Sequence, residues 1–179
     1  MVVLSRWSGG LVDRVGGRLP LIVGPLIAAV GFALFALPDG GDYWRSFFPA
    51  MVVLGLGMAV SVAPLTTVVM GSVSQDRGGL ASGVNNAASR VAALLAVAVL
   101  GILLVGVFEA TLGEAVRATG LTPLAQMNIL DQVQRLAAID LGVVEDSAIR
   151  AGLRDAIGAA MVDGFQAVAV AAAILAGLS

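Results

Sequence analysis

The sequence contains no cysteine and no histidine. Their absence excludes disulfides, thiol chemistry and the usual zinc ligand sets, and it leaves no imidazole to activate a nucleophile. Lysine is missing too: all ten basic residues are arginines, which reads as the coding bias of a GC-rich bacterial genome. Charge of either sign is scarce, at 12% of the 179 residues, where a soluble domain carries about 25%. With 59% of the chain hydrophobic, too few polar residues remain to cover a soluble core, and lipid is the solvent that suits such a composition. No basic patch with interleaved aromatics points to nucleic acid. Met1-Val2-Val3-Leu4 is too short for the apolar region of a secretory signal. Gly55-Leu56-Gly57 lacks the third glycine and the strand of a dinucleotide site, and Glu145-Asp146 reads as a solvated loop. No enzyme activity, metal or cofactor is expected.

What is abundant is the long apolar run. A membrane-crossing helix needs about 20 mostly apolar residues. Residues 19–38, 46–74, 78–108 and 156–179 meet that need, so the fold expected is all-α and integral to the membrane, with about four transmembrane helices. Residues 1–5 read as the end of a preceding span and residues 6–18 as a loop. Pro20 suits a first helical turn. Tyr43, Trp44, Phe47 and Phe48 stand where interfacial aromatics belong. Pro64 is expected to free the carbonyl of Val60 and kink its helix, either as a functional bend or as a proline that membrane helices tolerate.

Glu109 to Asp155 is the one long polar stretch, with seven acids against four arginines and a net charge of −3. It is expected to be an extracytoplasmic loop containing short amphipathic helices, over Pro123 to Ala138 and Ser147 to Asp155, with Ser147 as the cap of the second. Four spans impose alternating sides. Arg6, Arg14, Arg18 and Arg77 fall on one side, which the distribution of basic residues marks as cytoplasmic.

Between the first apolar residues and residue 19 lies Gly9-Gly10-Leu11-Val12-Asp13-Arg14-Val15-Gly16-Gly17-Arg18. This segment resembles the signature loop of the major facilitator superfamily, Gly-x-Leu-x-Asp-Arg-x-Gly-x-Arg, matched at Gly9, Leu11, Asp13, Arg14, Gly16 and Arg18. The chemistry is compatible. Gly16 permits the positive φ of a tight turn, Asp13 suits a helix N-terminus, and Arg14 and Arg18 can pair with carboxylates. The resemblance implies that this loop latches the cytoplasmic helix ends in the outward-facing state. A plain charged turn obeying the positive-inside rule is the alternative.

Members of that superfamily carry the loop in the first half and a weaker copy in the second. First-half drug exporters place a buried arginine in the second span after the loop and a Gly-Pro pair in the third, and neither occurs here. Ala63-Pro64-Leu65-Thr66-Thr67, Asp76 to Asn86 and Ser89-Arg90 are similar to the late helices of drug:proton antiporters with fourteen spans. The resemblance therefore implies part of the C-terminal half-bundle, with the N-terminal half missing.

Polar residues at membrane depth are rare and usually functional. Ser82, Asn86 and Arg90 are spaced by four and share a helical face. Arg90, Asn85, Asn86, Pro64 and Thr67 are the candidates for a cavity or gate. For Arg90 the other reading is a side chain snorkelling to the headgroups. Gly79, Gly83 and Ala87 form a small-residue stripe suited to close helix packing. Asp163 reads as an interfacial acid rather than a mid-membrane proton carrier.

The resemblance implies a secondary transporter of the bacterial inner membrane that exports drug-like or amphipathic small molecules in exchange for protons by alternating access. Its partners would be lipid, substrate, protons and the missing half, without which transport is not expected. Two other readings are open: a self-contained small transporter that dimerises, and a non-transport assembly or interaction protein working through residues 109–155.

Overall fold

The computed structural model describes residues 18–37, 43–72 and 74–179. Gly9, Asp13, Arg14 and Gly16 of the signature loop, and the turn from Pro38 to Gly41, lie outside them. All regular structure among the described residues is helical: α1 (Arg18–Phe35), α2 (Tyr43–Gly71), a 3-10 turn (Gln75–Arg77), α3 (Gly78–Ala118), α4 (Pro123–Leu130), 3-10 turns within Val133–Ala138, and α5 (Ser147–Leu178). Four of these, α1, α2, α3 and α5, are long and apolar enough to cross a membrane. The chain divides into two compact units. One holds the described residues up to Ala96 together with Ala169–Ser179, and the other is Val97–Val168.

In the first unit α1 and α2 form an antiparallel hairpin held by small residues. Gly24, Ala28 and Gly31 are buried along α1, and Ala50, Gly57 and Pro64 along α2. A methyl group added at Gly31 would lie 2.6 Å from the amide nitrogen of Leu54, and one at Gly57 would lie 2.8 Å from the Cα of Ala28. The two backbones therefore touch, and only glycine fits at the crossing. Near the end at which α1 finishes and α2 begins, Phe35 and Phe47 pack with ring centroids 6.1 Å apart. The large residues point the other way: Ile22, Leu26 and Val30 on α1 and Met51, Leu56, Met58 and Val62 on α2 are exposed. Pro20 sits in the first turn of α1, and α2 remains helical through Pro49 and Pro64.

The second unit is built the opposite way. Phe108, Leu112 and Val116 of α3 join Ile129 of α4, Val133, Ile139, Leu141 and Val144 of the connecting segment, and Leu153, Ile157 and Ala160 of α5 in one buried core. α3 and α5 run antiparallel through it, and a Cβ at Gly164 would come 3.0 Å from the carbonyl oxygen of Leu104. The core extends α3 beyond its expected end. The sequence suggested that the helix stops at Phe108, because Glu109 and Glu114 interrupt the apolar run. The helix continues to Ala118, because Val105, Phe108, Leu112 and Val116 keep the helical period on one face while the charges occupy the other.

Local signals shape the rest of this unit. Gly120 takes φ +69° just past the end of α3, the left-handed conformation that terminates helices and that glycine adopts without strain. The Thr122 hydroxyl then caps α4 by accepting from Ala125 N (3.4 Å), with Pro123 in the first turn. α5 is not capped by Ser147, as expected from the sequence, but by Asp146. Its Oδ1 accepts from Ala148 N (2.7 Å) and Ile149 N (3.3 Å). Both residue types are good caps, and a carboxylate at a helix N-terminus also meets the positive end of the helix dipole. Between the helices, the Gln132 carboxamide donates to the Asp140 carbonyl (3.3 Å) and accepts from the Asp140 amide (3.0 Å). Arg150 donates through Nε (3.0 Å) and Nη2 to the carbonyl of Val144.

Candidate functional site

Ser82, Asn85, Asn86, Ser89 and Arg90 lie in the first three turns and a little beyond of α3. Their spacing places Ser82, Asn86 and Arg90 in one row along the helix. Ser82 and Asn85 are half-buried, whereas Asn86 and Arg90 are exposed. The Ser89 hydroxyl donates to the Asn85 carbonyl (2.8 Å), so it does not compete for ligands on the open face. Among the described residues Arg90 makes no ion pair. Gly79 and Gly83 meet nothing within 4 Å in this chain; close glycine contacts occur between α1 and α2, at Gly24, Gly31 and Gly57, and between α3 and α5, at Gly164.

The length of α3 bears on the position of Arg90. Its 41 residues span about 60 Å at 1.5 Å per residue, twice a hydrocarbon core of about 30 Å. The longest charge-free stretch of the helix runs from Val91 to Phe108, bounded by Arg90 and Glu109. It measures about 27 Å along the axis. A bilayer that covers it leaves Arg90 at one boundary and Glu109 at the other. Arg90 then reaches headgroups or the mouth of a cavity rather than the membrane centre.

On α2, Pro64 is fully buried and stands two turns from Gly57 on the same side of the helix. Thr67 is exposed one turn further on, beside Thr66, whose hydroxyl donates to the Val62 carbonyl (3.0 Å). Arg18 opens α1 and is exposed. The structure thus brings Asn85, Asn86 and Arg90 onto one stretch of α3 and buries Pro64 within α2.

Asp163 stands on α5 at the last charge before an uncharged run to Ser179. Its Oδ2 accepts from the Thr111 hydroxyl of α3 at 3.3 Å, just beyond the tight contact of Gly164 with Leu104. The directions of the two helices explain the meeting: side chains lean toward their own helix N-terminus, so in an antiparallel pair Thr111 and Asp163 lean toward each other. Sequence reasoning missed Thr111, because nothing in its own neighbourhood signals a partner 52 residues away. It also missed the row Gly24, Ala28 and Gly31, although the spacing of these small residues was there to be read.

The sequence model of the Major Facilitator Superfamily matches residues 1–113, which takes in α1, α2 and most of α3 and stops before α4. The multidrug resistance protein Stp of Mycobacterium tuberculosis is 30% identical over 151 residues, covering 83% of this chain and 25% of the relative. The tetracenomycin C resistance and export protein of Streptomyces glaucescens is 32% identical over 107 residues, 58% of this chain and 19% of that protein. The lincomycin resistance protein of Streptomyces lincolnensis is 32% identical over 91 residues, 50% of this chain and 19% of that protein. The chain thus spans about a quarter or less of the length of these curated relatives. No solved structure matches it.

Proposed function

The chain belongs to the major facilitator superfamily, and from that premise we propose that its four spans form part of the C-terminal half-bundle of an exporter of drug-like or amphipathic small molecules, driven by proton exchange. It is a multi-pass membrane protein and a transporter-family member rather than an enzyme. The observation that carries the export reading is the match along 83% of the chain to a relative named for multidrug resistance, with two antibiotic-resistance relatives agreeing over shorter stretches.

Transporters of this kind rock one helical bundle against another around a site between them. In this reading the chain supplies one wall. The α1–α2 hairpin, with its backbones in contact, moves as a single body. The loop with Gly9, Asp13, Arg14, Gly16 and Arg18 lies on the cytoplasmic side and latches helix ends there. Asn85, Asn86 and Arg90 face the cavity mouth or gate on that same side, Thr67 is a further cavity candidate, and residues 109–155 lie on the opposite side of the membrane.

The test is a replacement. This chain is exchanged for the matching quarter of the Mycobacterium tuberculosis relative, and efflux of a fluorescent amphipathic cation is followed with and without a proton gradient. Retained, gradient-dependent efflux from the chimaera is expected, with none from the chain alone in proteoliposomes. Transport by the chain alone overturns the reading in favour of a self-contained dimer. A folded, membrane-inserted chimaera without efflux overturns the export assignment.

A further inference from the structure

Within residues 97–168 charge is unevenly placed. Ala118 to Leu130, which contains all of α4, has no charged residue, whereas Asp131, Arg135, Asp140, Glu145, Asp146, Arg150, Arg154 and Asp155 follow between positions 131 and 155. On α4, Leu124 and Met127 lie one turn apart and are 67% and 59% exposed. The polar side chains around them each make one bond to the local backbone. The Gln126 Nε2 donates to the Leu121 carbonyl (3.0 Å), the Asn128 Nδ2 to the Leu124 carbonyl (2.9 Å), and Thr122 caps the helix. No charge lies on this surface, and two large apolar groups stand out from it.

The position of α4 says what covers that surface. Ile129 is buried in the same core as Phe108, the residue at which the charge-free run of α3 ends. That core reaches along α3 from Phe108 to Val116, about 12 Å at 1.5 Å per residue, so α4 packs within about that distance of the level at which α3 leaves the hydrocarbon. Along α3 itself Val97, Val99 and Ile102 are exposed at 60–76%, as lipid-facing residues are.

We propose that α4 is an interfacial helix that rests on the membrane surface where α3 emerges, with Leu124 and Met127 inserted at the boundary between headgroups and acyl chains. An uncharged short helix binds there through buried apolar area rather than through attraction to anionic lipid. The charged remainder of the unit then faces water, and the unit is pinned to the bilayer at a third point besides α3 and α5. The proposal rests on the reading of α3 as a membrane span.

The natural absence of cysteine allows a clean test. Single variants Leu124→Cys, Met127→Cys, Gln134→Cys and Leu94→Cys of the full chain are labelled with an environment-sensitive fluorophore and reconstituted in phosphatidylcholine vesicles containing lipids that carry a nitroxide quencher near the headgroup or deep in the chain. All four sites are exposed or on an exposed face. Leu94 is expected to be quenched by the deep nitroxide, Leu124 and Met127 by the shallow one with blue-shifted emission, and Gln134 by neither. Emission at Leu124 and Met127 matching that at Gln134, with Leu94 still quenched, overturns the placement of α4 and leaves the spans intact. Blue-shifted emission at Met127 without lipid quenching also overturns it, because another protein surface then covers the helix. Loss of quenching at Leu94 overturns the membrane assignment of α3, and the proposal falls with it.

Discussion

Between α1 and α2 the buried residues are glycine, alanine and proline, joined by the backbone of Leu54 and the Phe35–Phe47 pair, while Ile22, Leu26, Met51, Leu56 and Met58 are exposed. Within residues 97–168 Phe108, Leu112, Val116, Ile129, Val144 and Leu153 are fully buried, and the charged residues point away. The difference tracks the solvent. In water, burying apolar area is the main drive to association, at about 25 cal/mol per Å². In lipid that drive vanishes, because the acyl chains are as apolar as leucine, and helices associate through close backbone approach instead. α3 carries both regimes along its length: Val91, Leu94, Leu95, Val97, Val99 and Ile102 are exposed, and from Phe108 onward the large side chains are buried. The change falls between Ile102 and Phe108, close to where the charge-free run ends.

The strongest way to break this contrast is to truncate one large apolar residue on each side of that change. Phe108→Ala is expected to cost about 3–5 kcal/mol, as for other buried aromatics. Ile102→Ala should stay within about 0.5 kcal/mol, as for surface sites. Thermal melts of the two variants in the same detergent compare them directly, and equal losses would remove the distinction. Enlarging the small-residue contact is the converse experiment. Gly57→Leu drives a side chain into the backbone of Ala28 and is expected to cost about 1–3 kcal/mol or more, whereas Gly55→Leu, with nothing within 4 Å, should be tolerated. Separation of α1 from α2, read by crosslinking of paired cysteines, would accompany the first change only.

Smaller effects sharpen the picture of the second unit. Asp146→Ala should destabilise by about 1 kcal/mol through loss of the α5 cap, while Ser147→Ala should be close to neutral; hydrogen exchange at Ala148 and Ile149 distinguishes the two. Thr111→Val removes one hydrogen bond on an exposed face and is expected to cost about 0.5 kcal/mol. Its signature would be faster exchange near the tight contact of Gly164, with the core around Leu112 unchanged.

Much of the architecture was legible in the sequence, because the absence of charge over some twenty residues leaves few alternatives to a membrane helix. The ends of helices were less legible. Glu109 and Glu114 break an apolar run without breaking the 3.6-residue period that Phe108, Leu112 and Val116 maintain, so a reading by charge stopped α3 ten residues early. Asp146 and Ser147 are adjacent and both cap helices well, and choosing between them requires the register of α5, which is set by the burial of Leu153 and Ile157. The helix contacts were legible only in kind. Small-residue spacing occurs in α1, α2 and α3 alike; sequence alone pointed to Gly79, Gly83 and Ala87 and passed over Gly24, Ala28, Gly31 and Gly57, which make the contact between α1 and α2. Of the candidate site, the shared row of Ser82, Asn86 and Arg90 follows from helical geometry, but the burial of Pro64 and the pairing of Asp163 with Thr111 depend on which helices are neighbours.

The Gln132 carboxamide presents to Asp140 the same donor and acceptor that a peptide group on a neighbouring β-strand would offer. A single side chain thus does the work of an absent strand. It fixes the path of a segment that has no regular structure, and so allows Leu141 and Val144 to reach the interior. The far end of the connection is tied separately, by Arg150 to the Val144 carbonyl, so a change as slight as Gln132→Glu, which exchanges a donor for a second acceptor, would loosen the Asp140 end alone while every helix remained in place.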